Sequence, residues 1–271
     1  MKLLSTIHNH CTLCDGISTP EEMLEAAIAA GFTDFGMSCH GYAPFDPDYS
    51  MPEEEAYLKT MRELRRRYDG RIRLWIGVEE DYFALSACPE RYDYRIGDVH
   101  YAKDMSTGEY IDIDGSTRSY EKAIRELYRG SAMDLVKAYY DNMVKASEQH
   151  PTVMGHFDII IKNNRNRQYF DEESGEYMKT AEQALSACLE NCRIFEINAG
   201  GMVKAGRKEP YPAPFLLRKL KELGGQVTLT ADCHNAELLT AGLDTAEASA
   251  KAAGFPAVLQ WENGDWTETV L

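Results

Sequence analysis

The chain has 271 residues, with 29 Lys+Arg against 44 Asp+Glu and a formal charge of −15. That balance excludes the basic face on which nonspecific nucleic-acid binding depends. No stretch approaches the ~18 uninterrupted apolar residues of a membrane span, and Met1–Ile7 is too short before His8 to serve as a signal peptide. Seven irregularly spaced cysteines read as reduced thiols in a cytoplasmic protein, and neither a nucleic-acid nor a membrane partner is expected.

Strands and helices alternate along the chain. Leu3–His8 reads as a strand. Thr19-Pro20-Glu21-Glu22 opens a helix with a cap, an N1 proline and an acidic first turn, and the helix Glu21–Ala30 stops at Gly31. Phe32–Cys39 is a second strand running into His40, residues 52–68 form a helix with a charged face, and Arg71–Val78 is a strand leading into Glu79, Glu80 and Asp81. Tyr94–Val99 ends at His100, residues 104–118 read as a loop, and Tyr120–Gln149 gives one or two helices. Thr152–Gly155 delivers His156, and the polar loop 161–175 is long enough to carry function. Helix Glu176–Asn191, strand Arg193–Ile197, helix Ala213–Leu223, strand Gln226–Thr230 and helix Ala236–Ala252 complete the series. With no repeat and no linker, one domain over 1–271 is expected. Its βα units favour a parallel sheet closed into a barrel, with ligands at the carboxyl ends of the strands. An open doubly wound sheet is the alternative, but no Gly-x-Gly-x-x-Gly follows a strand.

The histidines lie where that barrel would place chemistry. Of the seven, His8, His10, His40, His100, His156 and His234 stand at or just past predicted strand ends, with Asp15, Glu79 and Asp232 in equivalent places. His8 and His10 would share one face of a strand, about 7 Å apart. His150, before Pro151, reads as a helix-terminal or surface histidine. Imidazole and carboxylate suit zinc, iron or manganese, and nine such groups are enough for two or three divalent ions. Such clusters acidify bound water and clamp phosphate oxygens. The cysteines next to these histidines, Cys39 and Cys233, should face the barrel wall as small buried residues, and Cys11 and Cys14 read as buried thiols in preference to a thiolate zinc site.

His8-Asn9-His10, Asp15-Gly16, Ser38-Cys39-His40, Gly77-Val78-Glu79, Gly97-Asp98-Val99-His100, Gly155-His156-Phe157-Asp158 and Ala231-Asp232-Cys233-His234 resemble, in order, the motifs of the PHP (polymerase and histidinol phosphatase) superfamily. The resemblance spans His8 to His234 and implies a distorted (β/α)7 TIM-like barrel with a trinuclear metal centre. By that likeness one ion takes His8, His10, Glu79 and Asp232. A second shares Glu79 and takes His100 and His156, and a third takes Asp15, His40 and His234. The stretch Phe195-Glu196-Ile197-Asn198 through Gly206-Arg207-Lys208-Glu209-Pro210-Tyr211-Pro212 is similar to the monofunctional histidinol-phosphate phosphatases of that family.

The expectation is therefore a metal-dependent phosphomonoesterase for L-histidinol phosphate, with a metal-bridging hydroxide as nucleophile. A guanidinium fork suits phosphate oxygens, which selects Arg207 and then Arg165, with Arg167 next. Asp232 or His234 is placed to relay the leaving-group proton, while Lys204 and Lys208 could assist the arginines but read more as surface charges. Glu80, Asp81 and Asp158 are either ammonium binders or partners that orient a ligand histidine. Tyr42, Tyr101 and Tyr211 are candidates for the pocket lining. The alternatives are a phosphoesterase of the same family for another small phosphate ester, or a catalytically dead metal-binding regulatory protein.

Overall fold

The computed structural model describes residues 1–271. In chain order it forms β1 (Ser5–Thr6), α1 (Pro20–Ala29), β2 (Asp34–Met37), α2 (Glu54–Arg67), β3 (Arg73–Asp81), β4 (Tyr94–Asp98), β5 (Tyr101–Lys103) and β6 (Tyr110–Asp112). Then come α3 (Thr117–Leu127), α4 (Ala132–Ser147), β7 (Val153–Met154), α5 (Gly175–Cys188), β8 (Ile194–Asn198), α6 (Gly200–Ala205) and α7 (Pro214–Glu222). β9 (Gln226–Thr230), α8 (Leu243–Ala253), β10 (Ala257–Glu262) and β11 (Asp265–Val270) close the chain. Helix starts follow local chemistry. Thr19 and Glu22 make a reciprocal capping box at α1, and Ser116, Ser131 and Ser174 cap α3, α4 and α5.

One sheet runs β1-β2-β3-β4-β7-β8-β9-β10-β11, parallel except for its last pair. It curls until its ends meet. Asn9 bridges Cys233, with the His10 amide donating to the Cys233 carbonyl at 2.8 Å, and the Trp261 amide donates to Ser5 Oγ at 3.0 Å. The result is the expected distorted TIM-like barrel. Seven strands (β1–β4 and β7–β9) lead into one rim, and the β10–β11 hairpin fills the seam between β9 and β1.

Alternation along the strands sorts the side chains. Val78, Phe195, Ile197, Val227 and Leu229 point outward into the main core beneath the helices. Ile7, Tyr94, Ile96, Val153 and Trp261 form a separate cluster inside the barrel. Tyr94 fits there because Gly36 on β2 and Gly77 on β3 leave the space its ring occupies, and its hydroxyl donates to the Ile7 carbonyl. This apolar plug lies below the rim, so the polar groups above it are held on a packed floor.

Several elements differ from the sequence reading. Residues 104–118 are not a bare loop. They complete the β5–β6 hairpin, which turns at Gly108 (φ 79°), and begin α3. The helix expected at Ala236–Ala252 begins only at Leu243, because Gly242 adopts a left-handed φ of 80° that a right-handed helix cannot contain. β10 and β11 were not anticipated, although Asn263-Gly264 between them, both at positive φ, is a strong hairpin signal.

Candidate metal centre and anion cleft

The strand ends converge on one carboxylate. Glu79, on β3 and 1% exposed, has Oε1 at 3.2 Å from His8 Nε2, 2.9 Å from His156 Nε2 and 3.5 Å from His100 Nε2. Its Oε2 lies 3.2 Å from His10 Nε2 and 2.8 Å from His40 Nδ1. Five imidazoles from four strand ends thus surround a single side chain. Asp232 Oδ1 lies 3.8 Å from His8 Nε2 and 3.5 Å from His10 Nε2. Asp15 faces His40 Nε2 at 3.5 Å, His234 Nε2 at 3.1 Å and His10 Nδ1 at 3.7 Å. These side chains fall into three sets whose donor atoms could each hold one ion. They are His8, His10 and Asp232; Glu79, Asp98, His100 and His156; and His10, Asp15, His40 and His234. His150 stands apart, at positive φ beyond α4.

Buried donor atoms without partners show what the cluster requires. His8 Nε2, His10 Nε2, His40 Nε2, His100 Nδ1, His156 Nδ1, Asp15 Oδ1, Glu79 Oε2 and both Asp98 oxygens are buried and accept or donate no hydrogen bond. A buried polar atom left without a hydrogen bond costs about 1–3 kcal/mol. Divalent cations satisfy these lone pairs and carboxylate charges at once, so the residues fit metal ions. The charges respond to one another in the same sense. Burial pushes the Glu79 carboxyl upward, but the His40 and His8 imidazoles outweigh it and hold it well below the usual range. Burial opposes protonation of His8, yet Glu196, Glu79 and Asp232 raise it well above an ordinary histidine. His234 is pushed down to about 4 by burial, then by His10 and Lys204, and so stays neutral at neutral pH.

Three contributors escaped the sequence reading. Glu196 on β8 is fully buried and saturated. Its Oε2 accepts from His8 Nδ1 at 2.8 Å and Thr230 Oγ1 at 2.8 Å, and its Oε1 accepts from the His156 amide at 2.6 Å and Asn198 Nδ2 at 2.7 Å. That contact places the His8 proton on Nδ1 and leaves Nε2 free to ligate. Asp98 ends β4 two residues before His100, on the same inward face as Tyr94 and Ile96; strand alternation was the signal for it. Lys204 is the third. Read as a surface charge, it places Nζ 3.0 Å from Asp232 Oδ1 and 3.5 Å from His234 Nδ1. It gets there because a Cβ at Gly200 or Gly201 would strike Asp232 or the Tyr211 ring, so the glycine pair lets α6 approach the rim.

Beside Lys204 the rim opens into a cleft of about 730 Å³ lined by Lys162, Arg165, Lys204, Arg207 and Lys208 among others. The Arg207 guanidinium lies over the Tyr211 ring at 5.3 Å and donates to the Ile161 carbonyl at 3.2 Å, with no carboxylate bonded to it. Arg165 bonds only the Ala205 carbonyl, at 3.2 Å, whereas Arg167 is paired with Asp171 and Glu173 of its own loop. Glu80 is paired with Arg95 at 2.7 Å, Asp81 accepts the His100 amide, and Asp158 accepts the Ala213 amide at 2.9 Å. These acids build the rim, and none faces the cleft as an ammonium site. Tyr101 is buried and bonds Asp46, while Tyr42 is 50% exposed. Cys11, Cys39 and Cys233 are buried, and Cys14 Sγ lies 3.5 Å from His10 Nδ1.

The sequence matches the PHP domain family over residues 6–200. Among curated relatives, a "Probable histidinol-phosphatase" of Schizosaccharomyces pombe is 27% identical, over 93% of this chain and 87% of that protein. The histidinol-phosphatase of Bacillus subtilis is 22% identical, over 84% of this chain and 92% of that protein. Among solved structures, histidinol phosphate phosphatase of Lactococcus lactis, complexed with zinc, L-histidinol and phosphate, shares the fold at a TM-score of 0.68. It is 19% identical and covers 98% of this chain and 100% of that one.

Proposed function

This chain belongs to the PHP domain family, and from that premise we propose that it is a metal-dependent phosphomonoesterase that hydrolyses L-histidinol phosphate to L-histidinol and phosphate. The observation that carries the reading is the adjacency of a carboxylate–imidazole cluster, rich in unpartnered buried donors, to a cationic cleft. In this reading two or three zinc, iron or manganese ions are held by His8, His10, Asp15, His40, Glu79, His100, His156, Asp232 and His234. Bound there, such ions acidify water and neutralise phosphoryl oxygens.

The chain's own groups do the rest. Arg207, spread over Tyr211, and Arg165 across the cleft bind the phosphate dianion, with the Lys204 ammonium between them and the metal cluster. Glu196 keeps His8 in the ligating tautomer. Asp232 and His234, both without an acidic proton at neutral pH, stand on the rim side of the cluster, placed to take the proton that the attacking water gives up and hand it to the departing alkoxide, which is a poor leaving group without one. Seven free cysteines accord with a reducing compartment, and we place the enzyme in the cytoplasm. The test is a comparison of phosphate release from L-histidinol phosphate with release from other small phosphomonoesters. Selective turnover of the histidinol ester supports the proposal; equal rates across the panel point to the same chemistry on another ester; and no turnover of any ester by metal-loaded protein refutes it.

A further inference from the structure

We propose that Asp98 is a fourth protein ligand, through Oδ2, to the ion held by Glu79, His100 and His156. The proposal rests on the metal-dependent reading above and adds a ligand that the family likeness does not supply.

Asp98 is 0% exposed, and neither of its oxygens has a hydrogen-bond partner. Its two oxygens are directed to different histidines. Oδ1 lies 3.3 Å from His100 Nδ1 and Oδ2 lies 3.6 Å from His156 Nε2, the atom that also meets Glu79 Oε1 at 2.9 Å. His100 Nε2 is 3.3 Å from His156 Nε2 and 3.5 Å from Glu79 Oε1. Four donors at about 2.0–2.2 Å around a tetrahedral ion sit about 3.3–3.6 Å from one another. The three separations among Glu79, His100 and His156, 2.9 to 3.5 Å, and the 3.6 Å from Asp98 Oδ2 to His156 Nε2 lie close to that spacing, and all four donors lie within 4.8 Å of one another. No other side chain competes for Asp98. Lys204, the cation nearest the cluster, bonds Asp232 instead, and the His100 amide is taken by Asp81.

The strand explains why the residue can serve. β4 turns Tyr94, Ile96 and Asp98 inward, and His100 continues the same face past the strand end. Gly155 packs on Asp98, where a Cβ would come within 3.2 Å of Oδ2, so the carboxylate is held toward the cluster by the backbone entering His156.

The experiment uses full-length protein in zinc buffered by a graded series of chelators, with Asp98→Asn, Asp98→Ala and wild type compared for bound zinc. Phosphate release from L-histidinol phosphate is followed in parallel for wild type. Loss of an orienting partner costs roughly 10–100-fold in metal affinity. For a direct ligand we expect one equivalent of zinc to bind more than 100-fold more weakly in both variants, with the remaining equivalents unchanged. Thermal melts of the metal-free proteins check that both variants stay folded. Wild-type affinity in both variants overturns the proposal. So does an Asn variant that binds zinc normally while Ala does not, which would make Asp98 a positioning residue for His100. Wild type that binds no zinc also overturns it. Wild type that binds zinc but releases no phosphate would refute the catalytic reading while leaving the chelator series decisive.

Discussion

Replacing Glu196 separates the metal site from the fold more cleanly than replacing a ligand. The carboxylate accepts four hydrogen bonds at 2.6–2.8 Å, two on each oxygen. In Glu196→Ala all four donors lose their partner in a dry interior, at about 1–3 kcal/mol each. Taking the low end, the metal-free protein should lose about 4 kcal/mol, and its Tm should fall by roughly 10 °C. Glu196→Gln keeps the shape and one oxygen. If the amide oxygen stays with the His156 amide and Asn198, the amide nitrogen confronts His8 Nδ1 and turns His8 to the other tautomer. Nε2 then carries the proton and no longer ligates. The Gln variant should therefore lose roughly 10–100-fold in metal affinity at a smaller cost in stability than the Ala variant. Metal titration beside denaturant melts reads both quantities. Wild-type metal affinity in Glu196→Gln would refute the claim that this contact sets the His8 tautomer.

Other outcomes follow from the same geometry. Arg207→Ala should lower turnover by about 100-fold while metal content by elemental analysis stays unchanged; metal loss would make Arg207 structural. Despite burial, contacts with Cys14 and Glu79 hold the His10 pKa at about 10, and His8 is raised well above 6.5. Metal must therefore displace protons at neutral pH, and calorimetry in buffers of different ionisation heat should show proton release; heats independent of buffer would contradict the assignment. The raised value means that His10 contributes full stability to metal-free protein below about pH 6.5, a contribution lost as pH rises toward about 10, and His8 acts in the same sense. Melts across that window should show the decline. Gly77→Ala should destabilise by about 1–3 kcal/mol, read by denaturant melts, because its methyl would overlap the Tyr94 ring inside the barrel.

Much of the site was legible because its residues are of rare types placed at strand ends. Six histidines there needed no knowledge of contacts. What stayed hidden belongs to ordinary-looking residues whose role depends on packing. Glu196 looked like one acid among 44, and only the fold shows its four bonds, three of them to partners far along the chain. Lys204 does lie at the surface, and its contact with Asp232 stayed hidden because α6 was not expected to begin with a Gly-Gly pair; those glycines are there for close approach, which a propensity argument counts against a helix. Asp98 could have been found by extending the period-two rule back from His100. The β10–β11 hairpin was similarly marked by Asn263-Gly264.

The central claim is that hydrolysis depends on metal held by these strand ends. The direct measurement is phosphate release from L-histidinol phosphate by protein stripped of metal, before and after zinc, iron or manganese is restored. No turnover is expected before, recovery after, and no recovery in His8→Ala. Undiminished turnover by the stripped protein would contradict it.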